Sequence, residues 1–209
     1  MQAPIIVKRL GVTDFETTWR QMQQFTAERT HETLDELWLT EHLPVYSLGL
    51  NRKNVRLPSN SDIPLVLTDR GGKITYHGLG QVIIYTLLDL KRNKLDIRSL
   101  VSLLEDTVIE LLANYQLKAV AKVDAPGVYV DDAKIAALGL RIKNNYCYHG
   151  LSLNINMDLT PFQGIDPCGY VGLAVTQTKD LGIEANMEQI SELLLGSLIA
   201  NLGNRSLHV

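Results

Sequence analysis

A chain of 209 residues, 45% hydrophobic and 21% charged with a mean hydropathy of +0.01, has the composition of a folded globular protein, not of a disordered or membrane-embedded one. Its net charge of −3 and pI of about 5.9 supply no basic field for gathering phosphates, so no nucleic-acid partner is expected. The two cysteines, Cys147 and Cys168, are too few for a disulfide framework and lack zinc-site spacing; both are expected as thiols in a reducing compartment, and no metal is expected.

No run approaches the ~20 apolar residues of a bilayer span, since even residues 193–202 are interrupted by Gly196, Ser197 and Asn201. The first residues, MQAPIIVKRLG, lack the basic-then-apolar pattern of a secretory signal and read as a first strand. A cytoplasmic protein without membrane association is expected. With no repeat or long linker, residues 1–209 read as one domain, a monomer by default.

In chain order, Thr13-x-x-Glu16 is a capping-box spacing, followed by Phe15, Trp19, Met22 and Phe25 on one helical face. Strands are expected at residues 36–41 and 45–48, broken at Pro44, and at 64–68 beyond a polar surface loop, 51–61. Residues 82–87 form a near-continuous apolar run suited to the middle of a sheet. Asp96 is placed to cap a long helix carrying Leu100, Leu103, Leu104, Val108, Leu111 and Leu112 in one stripe, read as packing. An antiparallel meander is expected over 119–123, 127–130, 135–142 and 148–156, with Asp131 and Asp132 as turn formers. A last helix begins near Asn186. Strands in runs with helices beside them predict an α+β fold with a mixed, mostly antiparallel sheet flanked by helices.

Three segments carry candidate chemistry. Arg70-Gly71-Gly72-Lys73-Ile74-Thr75-Tyr76-His77-Gly78-Leu79-Gly80-Gln81 packs four glycines between strands, which suits either a turn or the close approach of an extended ligand. It is no P-loop or dinucleotide fingerprint, because a strand follows it. Asp124-Ala125-Pro126-Gly127 leads to Lys134-Ile135-Ala136-Ala137-Leu138-Gly139, where position alone reads Lys134 as a solvated surface residue. Cys168, between Pro167 and Gly169 in a loop, has the setting of a reactive thiol, whereas Cys147, between Tyr146 and Tyr148, reads as structural. His77 and His149 could join Cys168 at a metal, but nothing in the sequence fixes that geometry.

Together residues 70–81, 124–130 with 134–139, 149–156 and 165–169 resemble, in order and spacing, the blocks of the lipoyl(octanoyl) transferase family; residues 36–49 resemble its N-terminal section. The resemblance covers roughly residues 10–200. It implies the fold of the biotin and lipoate protein ligases, an acyl tunnel and a cysteine–lysine dyad, with Cys168 as the acyl-thioester cysteine and Lys134 as its partner. It also implies substrate-binding roles for Arg70, Gly71, Gly72, Lys73, Ile74, Thr75, Tyr76 and His77, for Ala137, Leu138 and Gly139, and for Gly150, Leu151 and Ser152. Leu79, Ala137 and Asp166 depart from the usual proline, serine and asparagine; none is a reacting group.

The activity so implied is transfer of octanoate from octanoyl-acyl carrier protein to a lysine of lipoyl domains, in 2-oxoacid dehydrogenase complexes and the glycine cleavage H protein. No cofactor is needed, because the donor is already a thioester on phosphopantetheine. The competing readings are an ATP-dependent lipoate ligase, a lipoyl-domain amidotransferase and a non-catalytic carrier-binding protein; retention of both Cys168 and Lys134 argues against the last. Two basic clusters, Arg52/Lys53/Arg56 and Lys91/Arg92/Lys94, are candidates for meeting acidic carriers.

Overall fold

The computed structural model describes residues 4–58, 62–169 and 172–204, apart from the side chains of Cys168 and Asn204. Strand β1 (Ile5–Thr13) leads into helix α1 (Phe15–Glu28), whose cap is Asp14: its carboxylate accepts the Thr17 N–H at 2.8 Å. The cap falls one residue after the Thr13 that the capping-box spacing indicates. The Thr13 hydroxyl is instead engaged with Thr40 at 2.9 Å and His42 at 3.1 Å.

After α1 come β2 (Asp35–His42), β3 (Val45–Leu48), β4 (Leu65–Leu67), β5 (Ile74–His77) and β6 (Gln81–Asp89). Helix α2 (Ile97–Ala113) starts where Asp96 caps the Ser99 N–H at 2.7 Å. Then follow β7 (Val120–Ala121), β8 (Val128–Val130), β9 (Ala133–Lys143), β10 (Tyr146–Asn154) and α3 (Met187–Asn204), with Asn186 accepting from the Gln189 N–H at 2.9 Å. Asp131 and Asp132 both take positive φ, 47° and 66°, as a hairpin turn between β8 and β9 requires; Asn144 and Asn145 do the same between β9 and β10.

The strands form two sheets. The larger has the order β1-β2-β6-β10-β9-β8-β7, antiparallel except for the β1–β2 pair. This is the mixed, mostly antiparallel α+β architecture, with the apolar β6 well inside it. The smaller has the order β4-β3-β5, and β5 lies within the glycine-rich segment that reads from sequence as a mere connection. Strand β7 shrinks to two exposed residues at the sheet edge, shorter than the apolar stretch 119–123 suggests.

One face of the large sheet is covered by α2 and α3: Leu103, Leu104, Leu111, Leu194 and Leu198 pack with Ile84, Leu151, Leu153 and Ile135. The other face meets α1 and the small sheet through two separate clusters, Phe15, Trp19, Met22, Trp38, Ile83 and Tyr148 in one, Tyr46, Leu48, Ile74, Tyr76 and Phe162 in the other. Between those two clusters the layers do not close completely. The candidate site lies there.

Candidate active site

Lys134, at the start of β9, is buried to 3% exposure and is not a solvated surface residue. Its Nζ donates to the Pro126 carbonyl at 2.9 Å and lies 5.2 Å from the centre of the Tyr129 ring. The turn before β8 comes close because residue 127 is glycine. It takes φ +138°, and a Cβ there would sit 2.7 Å from the Ala136 carbonyl and 3.0 Å from Lys134 Nζ.

The backbone of Lys134 is tied to the segment that follows the cysteine loop. Lys134 N–H donates to Ala174 O at 2.8 Å and Thr176 N–H to Lys134 O at 3.0 Å, a parallel bridge centred on Val175. The cysteine itself lies in a single helical turn, Pro167–Gly169, whose Gly169 N–H returns to Asp166 O at 2.8 Å. The Cys168 side chain is outside the described residues; of its neighbours, Pro167 lies near Lys134, and Gly169 lies against Lys73, whose Nζ would be 2.5 Å from a Cβ there. Pro167 lines a crevice together with Lys134, Thr75, Ala137 and Ser152, and Gly169 lines a cleft with residues 124–126.

A narrow cavity of about 50 Å³ continues from Thr75, Ala137 and Ser152. It crosses the large sheet from Gly139 on β9, past Gly150 on β10, to Ile83 and Tyr85 on β6 and Phe15 on α1. Of the sequence-predicted substrate-binding residues, Arg70, Gly72, Lys73, Ile74, Thr75, His77, Ala137, Leu138, Gly139, Gly150, Leu151 and Ser152 line it. Gly71 lines the outer cleft instead. Tyr76 lines neither; it packs against Tyr46 and Phe162 because strand alternation turns it away from Thr75 and His77. Phe15, Ile83, Tyr85 and His149 complete the lining. Sequence reading places Phe15 and Ile83 in core and gives Tyr85 no role; apolar periodicity does not distinguish core from tunnel wall.

The outer cleft, about 460 Å³, is lined by Asn51, Lys73, Ile97, Val101 and Gly169 among others. Of the two basic clusters, Arg52 and Lys53 follow Asn51 of its lining and are exposed, with the Arg52 guanidinium donating to Gly49 O at 3.3 Å and Thr68 O at 3.5 Å, while Arg56 lies 3.7 Å from Asp166. Arg92 is turned inward, donating to Thr33 O at 2.8 Å and His31 O at 2.5 Å.

Behind the inner cavity stands a set of buried neutral imidazoles. His42 Nδ1 donates to the Thr13 carbonyl at 3.1 Å, which leaves Nε2 to accept from the Tyr85 hydroxyl at 2.6 Å. His77 Nδ1 donates to Gln81 Oε1 at 2.7 Å, and Nε2 accepts from Ser47, whose hydroxyl also receives Arg70 at 2.9 Å. His149, at φ +64°, donates Nε2–H to Asp69 at 3.2 Å. Asp69 also accepts from Trp19, Gln23 and Tyr148. Burial opposes its ionisation, yet the hydrogen bonds from His149, Tyr148, Gln23 and Trp19 prevail and hold its carboxyl well below the usual range.

Burial pushes His42 down to about 4 and His77 down to about 3; in His77 the neighbouring His42 adds to the effect. The unfolded chain protonates both near 6.5, so stability is highest above that pH, falls as pH drops from 6.5 toward the folded values of about 4 and 3, and loses nothing further from them below that. Between pH 7 and pH 4 the loss should be on the order of 3 kcal/mol per histidine. Urea midpoints measured across that range should fall steeply, and less steeply in His42→Gln; a flat profile from pH 7 to 4 would contradict this account.

Comparison with known proteins gives a consistent picture. The family model described as the lipoyl protein ligase A/B catalytic domain matches residues 14–199. An octanoyltransferase of Laribacter hongkongensis is 54% identical over 196 residues, 94% of this chain and 95% of that protein. One of Methylococcus capsulatus is 50% identical over 202 residues, 97% and 98% of the two chains. Among solved structures, a putative lipoate protein ligase of T. acidophilum with bound lipoic acid superposes with a TM-score of 0.77 at 13% identity, covering 97% of this chain and 87% of that one. A biotin protein ligase of Aquifex aeolicus superposes with a TM-score of 0.58 at 14% identity, covering 95% and 70%. These two likenesses speak to the fold.

Proposed function

Because the chain belongs to the lipoyl protein ligase A/B catalytic-domain family and its relatives at 50–54% identity are octanoyltransferases, we propose that it moves an octanoyl group from acyl carrier protein to a lysine of a lipoyl domain through a thioester on Cys168. The observation that carries this reading is the buried Lys134 amine, held by Pro126 O at 2.9 Å, in a residue that lines one crevice with Pro167 of the cysteine loop and with Thr75, Ala137 and Ser152 of the inner cavity.

The course of the lining residues supports a medium-length acyl chain, for which the side chains must part, since about 50 Å³ is less than eight carbons occupy. From β9 across β10 to β6 is two strand spacings, about 9.6 Å. Seven carbon–carbon bonds of about 1.5 Å, in a zigzag, extend nearly as far. The wider cleft outside Gly72 and Lys73 suits the pantetheine arm and then the incoming lysine, and the exposed Arg52 and Lys53 suit acidic carriers.

A free thiol near pKa 8.5 is only a few per cent thiolate at pH 7, and lowering it by two units takes about 2.7 kcal/mol. The Lys134 ammonium, shielded from solvent, supplies that stabilisation. The thiolate attacks the donor's thioester carbonyl, the bond to the pantetheine sulfur breaks, and Lys134 gives its proton to the departing sulfur. Lys134 is then neutral and takes one proton from the lipoyl-domain ammonium. The freed amine attacks the enzyme thioester, the Cys168 sulfur leaves as thiolate, and the second proton shed as the amide forms goes to solvent. Glycine-rich backbone N–H groups at residues 71–80 or 169 are the candidates for holding the oxyanion.

Intact-protein mass spectrometry after mixing with octanoyl-acyl carrier protein and no ATP tests the reading. One added octanoyl group per chain is expected, lost again when a lipoyl domain is supplied. No adduct without ATP, but lipoyl-domain modification with ATP and free octanoate, would move the chain to the ligases.

A further inference from the structure

Helix α2 buries an apolar face interrupted by Thr107, whose hydroxyl is bonded within the helix, and by one carboxylate, Glu105, which is 7% exposed. A carboxylate is costly to bury unless something in the fold meets it. Here Oε1 accepts the Gly127 N–H at 2.8 Å. Gly127 belongs to the turn that carries the Pro126 carbonyl, the acceptor of Lys134 Nζ. The same glycine lies so near the lysine that a Cβ on it would stand 2.8 Å from Lys134 Cε.

We propose that Glu105 is a positioning residue, clamping the Gly127 amide from α2 so that the 124–127 turn holds the Lys134 amine in place for its work beside Cys168. The proposal rests on the cysteine–lysine reading and adds to it a contact that no reacting group makes. Burial pushes the Glu105 carboxyl up, the Gly127 hydrogen bond opposes that, and the charge of Lys134 opposes it further, so the helix, the turn and the lysine are electrostatically linked. Without the clamp, the turn keeps its glycine freedom at φ +138° and the amine loses a fixed acceptor.

Two substitutions separate the hydrogen bond from the bulk. Glu105→Gln keeps a carbonyl oxygen to accept from Gly127, while Glu105→Leu keeps the volume in an apolar setting and removes the acceptor. The readout is the rate of Cys168 alkylation by iodoacetamide against pH, which needs no acyl donor, with Lys134→Ala as the reference for a lost partner. The charged and titratable groups that bear on the profile are Tyr129 of β8, its ring centre 5.2 Å from Lys134 Nζ, Glu105 of α2 through Gly127, and Lys73, whose Nζ would lie 2.5 Å from a Cβ on Gly169. Lys122 also lies over Tyr129, at 4.5 Å, but is paired with Asp132 at 2.6 Å.

Glu105→Leu should raise the thiol pKa by about one unit, slowing alkylation about tenfold at pH values below it, and should slow single-turnover transfer in parallel, with Tm lowered by the orphaned Gly127 N–H but the protein still folded at the assay temperature. Glu105→Gln should stay close to wild type in both. A Glu105→Leu protein with the wild-type alkylation profile, beside a shifted Lys134→Ala, would overturn the clamp and leave the dyad standing. Equal impairment in the Gln and Leu proteins would also overturn it, by assigning the effect to charge. An unshifted Lys134→Ala would instead remove the dyad on which the proposal rests.

Discussion

Cys168→Ala should carry no octanoyl group after exposure to octanoyl-acyl carrier protein, and its transfer rate should drop by about 10⁴-fold or more, as nucleophile losses do. Cys147→Ser should keep both adduct and transfer. The physical contrast between the two thiols is large. Cys147 is fully buried in β10, and burial pushes its thiol up to about 12, so at neutral pH it is an inert core residue. Cys168 sits in the Pro167–Gly169 turn, whose first residue lines a crevice with Lys134 and whose last lines the outer cleft. Intact-mass measurements on both variants decide the matter. An adduct that survives in Cys168→Ala and disappears in Cys147→Ser would reverse the assignment.

Lys134→Ala should return the Cys168 thiol toward its free pKa of about 8.5 and slow transfer by roughly 10²–10⁴-fold, the usual worth of a positioned proton carrier. Lys134→Arg is the sharper test, because arginine keeps the charge but does not give up its proton. It should alkylate readily at pH 7 yet fail to pass octanoate to a lipoyl domain. The guanidinium is bulkier than the amine, and a Cβ on Gly127 would already stand 3.0 Å from Nζ, so thermal melts must accompany the kinetics. Rapid alkylation with rapid transfer in the arginine protein would reduce the role of Lys134 to charge alone. A wild-type thiol pKa with normal transfer in Lys134→Ala would remove it altogether.

Much of the scaffold was legible because local chemistry and global fold agree. Asp96 caps α2, the α2 leucines face the sheet, paired aspartates turn the β8–β9 hairpin, and the apolar run of β6 lies inside the sheet. The site was legible only in part. Lys134 reads as a surface residue because one lysine at a strand start carries no signal of the turn and glycine that enclose it. Glu105 interrupts a mainly apolar face, and that break in periodicity was the available clue. The strands β3 and β4 were legible as strands, but their sheet was not, because β5, four residues inside the glycine-rich segment, reads as a connection and the three pair across intervening loops. Alternation along β5 is not visible in a block of residues: it sends Tyr76 to pack with Tyr46 and Phe162 while Thr75 and His77 face the cavity.

The backbone pairing of Lys134 with residues 174–176 also has a consequence for how the chain leaves the ribosome. Synthesis is vectorial, and at ~5–20 residues per second the stretch from β9 to that pairing segment takes seconds to appear. Until it does, the amine and the sulfur have no shared address. The nascent polypeptide therefore emerges with two ordinary side chains, a protonated amine and a sluggish thiol. On the cysteine–lysine reading, the raised reactivity of the thiol is then a property of the completed tertiary structure and not of the emerging chain.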